Sequence, residues 1–140
     1  MSLRILQDCT NIDWELVKET LKRVNMGYFD AETHKKAFEN SYTVIFIFDE
    51  DKLVGFGRAL SDGAYQAALY DIAVIPEYQG QGIGSMIVEG LLERIPSCNV
   101  ILYAAVGKEK FYQKLNFRRL KTGMGLFKNS LLMQSKGFTE

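Results

Sequence analysis

The residues best suited to chemistry lie in one short run, Gln79-Gly80-Gln81-Gly82-Ile83-Gly84, where three glycines occupy alternate positions. Glycines at that spacing let main-chain N–H groups turn inward together and let a ligand approach the backbone closely. A helical pattern begins directly afterwards, so its first turn, with Ser85, adds unpaired donors and a partial positive charge. Such a bend suits the oxygens of a pyrophosphate and needs no lysine. Two familiar phosphate loops fit worse. A dinucleotide loop wants another glycine three positions after Gly82, where Ser85 stands, and it opens a βαβ unit. A mononucleotide loop wants Lys and then Ser or Thr after its last glycine, and Gly84 is followed by Ser85 and Met86. A plain tight turn would need one glycine and not three.

A second candidate is Asp71, set between Tyr70 and Ile72 in an apolar run. A carboxylate there must find a partner or a cavity, so it is either a base or amine anchor, or a structural carboxylate satisfied by its neighbours. His34 sits on a polar helical pattern with no cysteine, aspartate or second histidine at ligand spacing, and no metal is expected. Cys98 has no base evident in the sequence to make it a nucleophile. Lys108, Lys110 and Lys114 form either a solvated helix face or a contact to an outer phosphate.

These residues need elements to hold them. A first strand is expected over Arg4 to Gln7, then a helix from about Asp13 to Val24, with Thr10 and Asn11 offering cap oxygens and Leu16, Val17, Leu21 and Val24 at helical spacing. Gly27 ends it, and a more exposed helix capped by Asp30 runs to Asn40. Aromatic and β-branched residues then predict strands at Tyr42 to Phe48, Leu53 to Leu60 and Ala67 to Ile75, joined by turns and stopped by Pro76. Ile83, Ile87, Val88, Leu91, Leu92 and Ile95 mark an amphipathic helix from about Gly82 to Ile95. A strand from Asn99 to Val106 must lie parallel to the Ala67 strand, because a helical crossover joins them. A short helix from Glu109 to Leu115 and a closing hairpin, Arg118 to Thr122 and Gly125 to Lys128, complete the expected order. The fold class is α/β, an α+β arrangement with a mixed sheet and helices on its faces.

The chain's 140 residues are 47% apolar, enough for one core, so a single domain over residues 1–140 is expected. Seventeen basic and seventeen acidic side chains cancel, which disfavours nucleic acid and anionic membranes as partners. Two separated cysteines, and no apolar run near the ~20 residues that cross a bilayer, point to a reducing, cytoplasmic location.

Gln79 to Gly84 matches the Gln/Arg-x-x-Gly-x-Gly/Ala signature of the GCN5-related N-acetyltransferases, and the preceding Asp71 to Tyr78 also resembles that family. A second segment, Lys110-Phe111-Tyr112-Gln113-Lys114-Leu115-Asn116-Phe117, is similar to the family's later Phe-Tyr-x-Lys-x-Gly-Phe stretch, with Asn116 in place of the usual glycine. The resemblance covers roughly Leu69 to Phe117. It implies the acyl-CoA N-acyltransferase fold, a central mixed sheet of six to seven strands flanked by about four helices. It implies acetyl-CoA as cosubstrate, with the pyrophosphate on Gln79, Gly80, Gln81, Gly82, Ile83, Gly84 and Ser85. The backbone of Ile72, Ala73 and Val74 would pair with the pantetheine arm, and the Ile72 N–H would face the developing oxyanion. Tyr112 takes the family's acid position, either as donor to the departing thiolate or as a packed core tyrosine; Asp71 is the candidate base or amine anchor, and in several members of the family a water chain serves instead. The implied activity is acetyl transfer through a tetrahedral intermediate to a primary amine of a small molecule, or of a peptide or protein. The rival is a non-catalytic CoA sensor on the same fold. In this family the acceptor is chosen largely by the first two helices and their loop, here Asn25 to Asp30. Tyr28 and Phe29 in that loop hint at an arylalkyl amine, or are core plugs. Small members are often homodimers, and Leu131, Leu132 and Met133 either serve such an interface or finish the core.

Overall fold

Alternation along a single central strand explains how two sets of helices find the sheet. In β2 (Thr43–Asp49), Val44 and Phe46 point to one face and Ile45 to the other, as the pleat requires. The computed structural model describes residues 1–140. Its sheet runs β1 (Leu3–Leu6), β2, β3 (Lys52–Ser61), β4 (Gln66–Val74) and β5 (Asn99–Ile101) in that spatial order. The first three junctions are antiparallel, and β4 pairs with β5 in parallel, as the crossover predicts.

The chain forms two compact units, Met1–Leu102 and Tyr103–Glu140. In the first, α1 (Trp14–Arg23) and α2 (Ala31–Glu39) lay Val17, Leu21 and Phe38 on Val44, Phe46, Phe56 and Ala73. Phe38, Phe46 and Phe56 meet with ring centroids 5.5 to 6.2 Å apart. On the opposite face α3 (Ile83–Leu92) buries Ile83, Ile87, Val88 and Leu91. It lies so close that a Cβ on Gly57 would stand 2.9 Å from Ile87 and 3.3 Å from Leu91. In the second unit, α4 (Glu109–Lys114) and α5 (Ser130–Ser135) flank an irregular stretch, with Tyr103 edge-on to Phe127 and Phe138.

Several expectations are corrected. The sheet has five strands instead of six to seven, and there are five α-helices and one short 3₁₀ turn. The strand expected to reach Val106 stops at Ile101, and the chain turns at Ala105, whose carbonyl accepts from Lys108 N–H. No hairpin forms over 118–128. Its charged and glycine residues give no apolar face, and Met124 and Leu126 stand in solvent. The cap of α1 is Asp13, which accepts from Leu16 N–H, and not Thr10 or Asn11; Leu16 is exposed, while Thr20 takes a buried place. Leu131 and Leu132 are exposed in α5 and do not finish a core.

Gly57→Ala should lower stability by about 1–3 kcal/mol, because the added methyl drives α3 from the sheet. An unchanged thermal midpoint would show that the helix gives way freely.

Candidate active site

A change of partner halfway along β4 creates the site. β4 pairs with β5 only at Gln66, Ala67 and Ala68, so the β5 ladder ends well before Ile72, Ala73 and Val74. The Val74 carbonyl accepts from Gln79 Nε2 at 2.9 Å. On the other side of β4, the β3–β4 register slips. Phe56 pairs with Ala73 and Arg58 with Tyr70, so Gly57 alone faces both Asp71 and Ile72. The extra residue makes a bulge, and Asp71 adopts φ +55°, a left-handed conformation that aspartate tolerates better than most side chains.

The bulge places Tyr70 and Asp71 on the same face, where both meet Arg58. Arg58 Nε donates to Asp71 Oδ2 at 2.7 Å, and the guanidinium lies over the Tyr70 ring at 5.3 Å and the Phe38 ring at 5.7 Å. The two charged side chains are only 16% and 20% exposed. Asp71 has therefore found the partner that its apolar surroundings demand. His34, 4% exposed, stands near this pair. Burial pushes its pKa below the usual 6.5; Asp71 and Asp30 pull it back up, while Arg58 and Lys18 push it further down. Its folded value lies below its unfolded one, so the neutral ring contributes stability that is fully present above about pH 6.5. That contribution is lost as the pH falls toward the folded value.

Past Val74, Pro76–Tyr78 makes a 3₁₀ turn fixed at both ends of its reach. Tyr78 Oη donates to Asp49 Oδ2 at 2.6 Å, and Glu77 receives Arg23 through both carboxylate oxygens at 3.0 and 2.9 Å. The glycine loop follows. Gly80 has φ +76° and Gly82 φ +85°, while Gly84 lies within the first turn of α3. The first bond inside α3 runs from Met86 N–H to the Gly82 carbonyl, so the N–H groups of Ile83, Gly84 and Ser85 precede the helical ladder. Gln81 Nε2 donates back to the Glu77 carbonyl at 3.2 Å. This bend can receive a diphosphate on main-chain donors at a helix start.

The profile of the acetyltransferase (GNAT) family matches residues 6–117. The chain belongs to the GNAT acetyltransferase family. It is 31% identical over 129 residues to an uncharacterized N-acetyltransferase ycf52 of Pyropia yezoensis, covering 86% of this chain and 67% of that one. A Glycine max protein named histone acetyltransferase TAP1 is 32% identical over 106 residues, 65% of this chain and 46% of its own length. The Oryza sativa subsp. japonica protein named serotonin N-acetyltransferase 2, chloroplastic, is 29% identical over 121 residues, 81% of this chain and 60% of its own. In three dimensions the crystal structure of a probable acetyltransferase from meticillin-resistant Staphylococcus aureus superposes with a TM-score of 0.80 at 27% identity, covering 89% of this chain and 97% of that one.

Within this GNAT chain, Asp71, Ile72, Ala73, Val74 and the residues from Gln79 to Ser85 all belong to the first unit. Tyr112 belongs to the second, on α4, where its ring meets Phe111 at 4.9 Å and Phe117 at 5.7 Å. Burial pushes the Tyr112 phenol up to about 12. Lys108, Lys110 and Lys114 are exposed. Tyr28 and Phe29 are 44% and 66% exposed and so are not core plugs. Sequence reading missed Arg58, the bulge and the burial of His34. An arginine inside an apolar strand was the signal for the first, since it must answer a buried acid. No helix of this GNAT protein is long and apolar enough to cross a membrane.

Arg58→Met should cost about 3 kcal/mol by leaving Asp71 unpaired. Adding Asp71→Asn should recover part of that loss in a denaturation cycle, and strictly additive losses would show that the pair is not coupled.

Proposed function

We propose that this protein transfers the acetyl group of acetyl-coenzyme A directly to the primary amine of a small molecule. The observation that carries the reading is that β4, whose ladder with β5 ends at Ala68, leads through one 3₁₀ turn into the left-handed glycine bend at Gly80 and Gly82. An extended chain of amides can add to a strand as a further strand would, using the backbone of Ile72, Ala73 and Val74. The donors of Gln79 to Ser85 then lie one turn beyond, where a diphosphate follows a pantetheine-like arm. The residues present fit the group, and acetyl-coenzyme A would supply an acyl carbon activated as a thioester.

The chain's own residues supply position and polarity. Ile72 lies in the bulge, where a backbone N–H is free of regular pairing to serve a developing oxyanion. A phenol held near 12 keeps its proton throughout the working pH range, so Tyr112 acts as a hydrogen-bond donor to a departing thiolate. The ion pair with Arg58 favours a shaping role for Asp71, with water taking the proton of the amine. We read residues 1–140 as one functional domain, since the family match crosses the boundary between the compact units.

The exposed aromatics Tyr28 and Phe29 favour an arylalkyl amine, in keeping with the serotonin acetyltransferase name of the rice relative. The soybean relative's name makes a peptide amine the second reading.

Thiol release from acetyl-coenzyme A across a panel of arylalkylamines, polyamines and lysine peptides tests the function. Release that depends on an arylalkylamine supports it; binding of the thioester without amine-dependent release would make the protein a sensor. Gly82→Val should weaken coenzyme A binding by about tenfold or more, because a β-branched residue resists the left-handed conformation by about 1–2 kcal/mol. Calorimetry reads this directly. Tyr112→Phe should lower kcat by about a hundredfold with little change in KM, and unchanged turnover would remove its role. Asp71→Asn should leave the pH profile of kcat at saturating acceptor unchanged if water is the base.

A further inference from the structure

The loop that joins α1 to α2 is tied down from an unexpected direction. After Met26 N–H closes α1 on the Leu21 carbonyl, the chain passes through Gly27, Tyr28 and Phe29 before Asp30 caps α2. Phe29 N–H donates to His34 Nε2 at 2.9 Å, and the two rings lie 6.0 Å apart. The side chain that receives this bond is almost wholly buried, while the residue it holds is largely exposed. His34 thus fixes the backbone beneath two solvent-facing aromatic rings.

The direction of the bond sets the state of the imidazole. Nε2 can accept only when it carries no proton, so the ring must be neutral with its hydrogen on Nδ1. A second proton would set an N–H against the Phe29 N–H, and two donors cannot share one bond. The groups that face the ring are Asp71 on β4, Arg58 on β3, Lys18 on α1 and Asp30 at the start of α2. Their charges oppose one another in two pairs, and burial holds the ring neutral at neutral pH.

We propose that His34 is a positioning residue for the acceptor loop: neutral, it latches Phe29 in place for the amine, and protonated, it lets the Tyr28–Phe29 segment go. This rests on the reading that the loop meets the acceptor. Acid then weakens acceptor binding and leaves the glycine bend and its ligand untouched.

His34 is the chain's only histidine, so its titration can be followed without assignment ambiguity. In NMR spectra of the intact protein, the ring should show the neutral Nδ1–H form near neutral pH and titrate below 6.5. The Phe29 amide should lose its hydrogen-bonded shift and its exchange protection with the same midpoint. A Phe29 amide that ignores the titration overturns the latch.

Kinetics test the consequence. His34→Gln can offer Oε1 to Phe29 N–H and does not titrate, so it should keep an acceptor KM near that of the wild type at about pH 7.5. Across the pH range in which the His34 ring is seen to titrate, the ratio of wild-type to variant acceptor KM should rise by about fivefold as the pH falls, the worth of an ordinary hydrogen bond. Protonation of the amine itself cancels in that ratio. The KM for acetyl-coenzyme A should move equally in both proteins. Parallel acceptor profiles overturn the positioning role. Should the variant fail to fold, coincidence of the wild-type acceptor KM midpoint with the His34 titration decides the matter, and separate midpoints overturn it. No turnover with any amine, while the Phe29 amide still follows His34, would refute the transfer reading and leave the latch standing.

Discussion

β4 pairs with β3 along its length but with β5 only from Gln66 to Ala68, and the architecture of the site follows from where that second ladder ends. A strand inside a sheet has no amides to spare, whereas one with a free edge carries a row of donors and acceptors that must be met by water, side chain or ligand. Gln79 meets one of them, at the Val74 carbonyl. Beyond Val74 one 3₁₀ turn, Pro76–Tyr78, carries the chain to the bend at Gly80 and Gly82, so the end of the strand and the start of the helix lie close in sequence.

The bulge at Asp71 depends on the same strand. Without it, Tyr70 and Asp71 would alternate across the sheet; with it, both face α1 and α2, and Arg58 can hold one and stack on the other. A largely buried charged pair, with its arginine over the Phe38 ring, is costly unless its partners are in place, and here they are. The left-handed backbone at Asp71 is a local strain that the surrounding register sustains. On the far face, Gly57 has no side chain, and that lets α3 come close enough to aim its first turn at the end of β4. The two faces are thus coupled through one slip of register.

His34 connects this polar group to the surface. It is packed as a core residue and yet its one acceptor nitrogen serves a loop residue that stands in water. Buried imidazoles are sensitive to the charges around them, and here those charges come from four different elements. The loop at Phe29 and the Arg58–Asp71 pair are therefore linked through the electrostatics of His34.

The sequence by itself determined the order of the elements as far as Asn99, the parallel junction of β4 with β5, the glycine bend and the family. Each of these is written in local terms: a period of two or 3.6, a proline, a glycine spacing, a crossover that must be helical. It also determined that Asp71 needed a partner, though not that the partner was Arg58, thirteen residues earlier on the neighbouring strand. Tertiary structure decided that identity, because register across a sheet depends on how the strands slip past one another. It also decided that the strand from Asn99 stops at Ile101 and that 118–128 stays irregular, since a strand exists only where another offers it a ladder. His34 lies on a helix whose sequence reads as polar and more exposed, and only the packing of α2 beside β3 and β4 buried the side chain; burial is a property of what covers a residue, and that is not encoded in its neighbours along the chain.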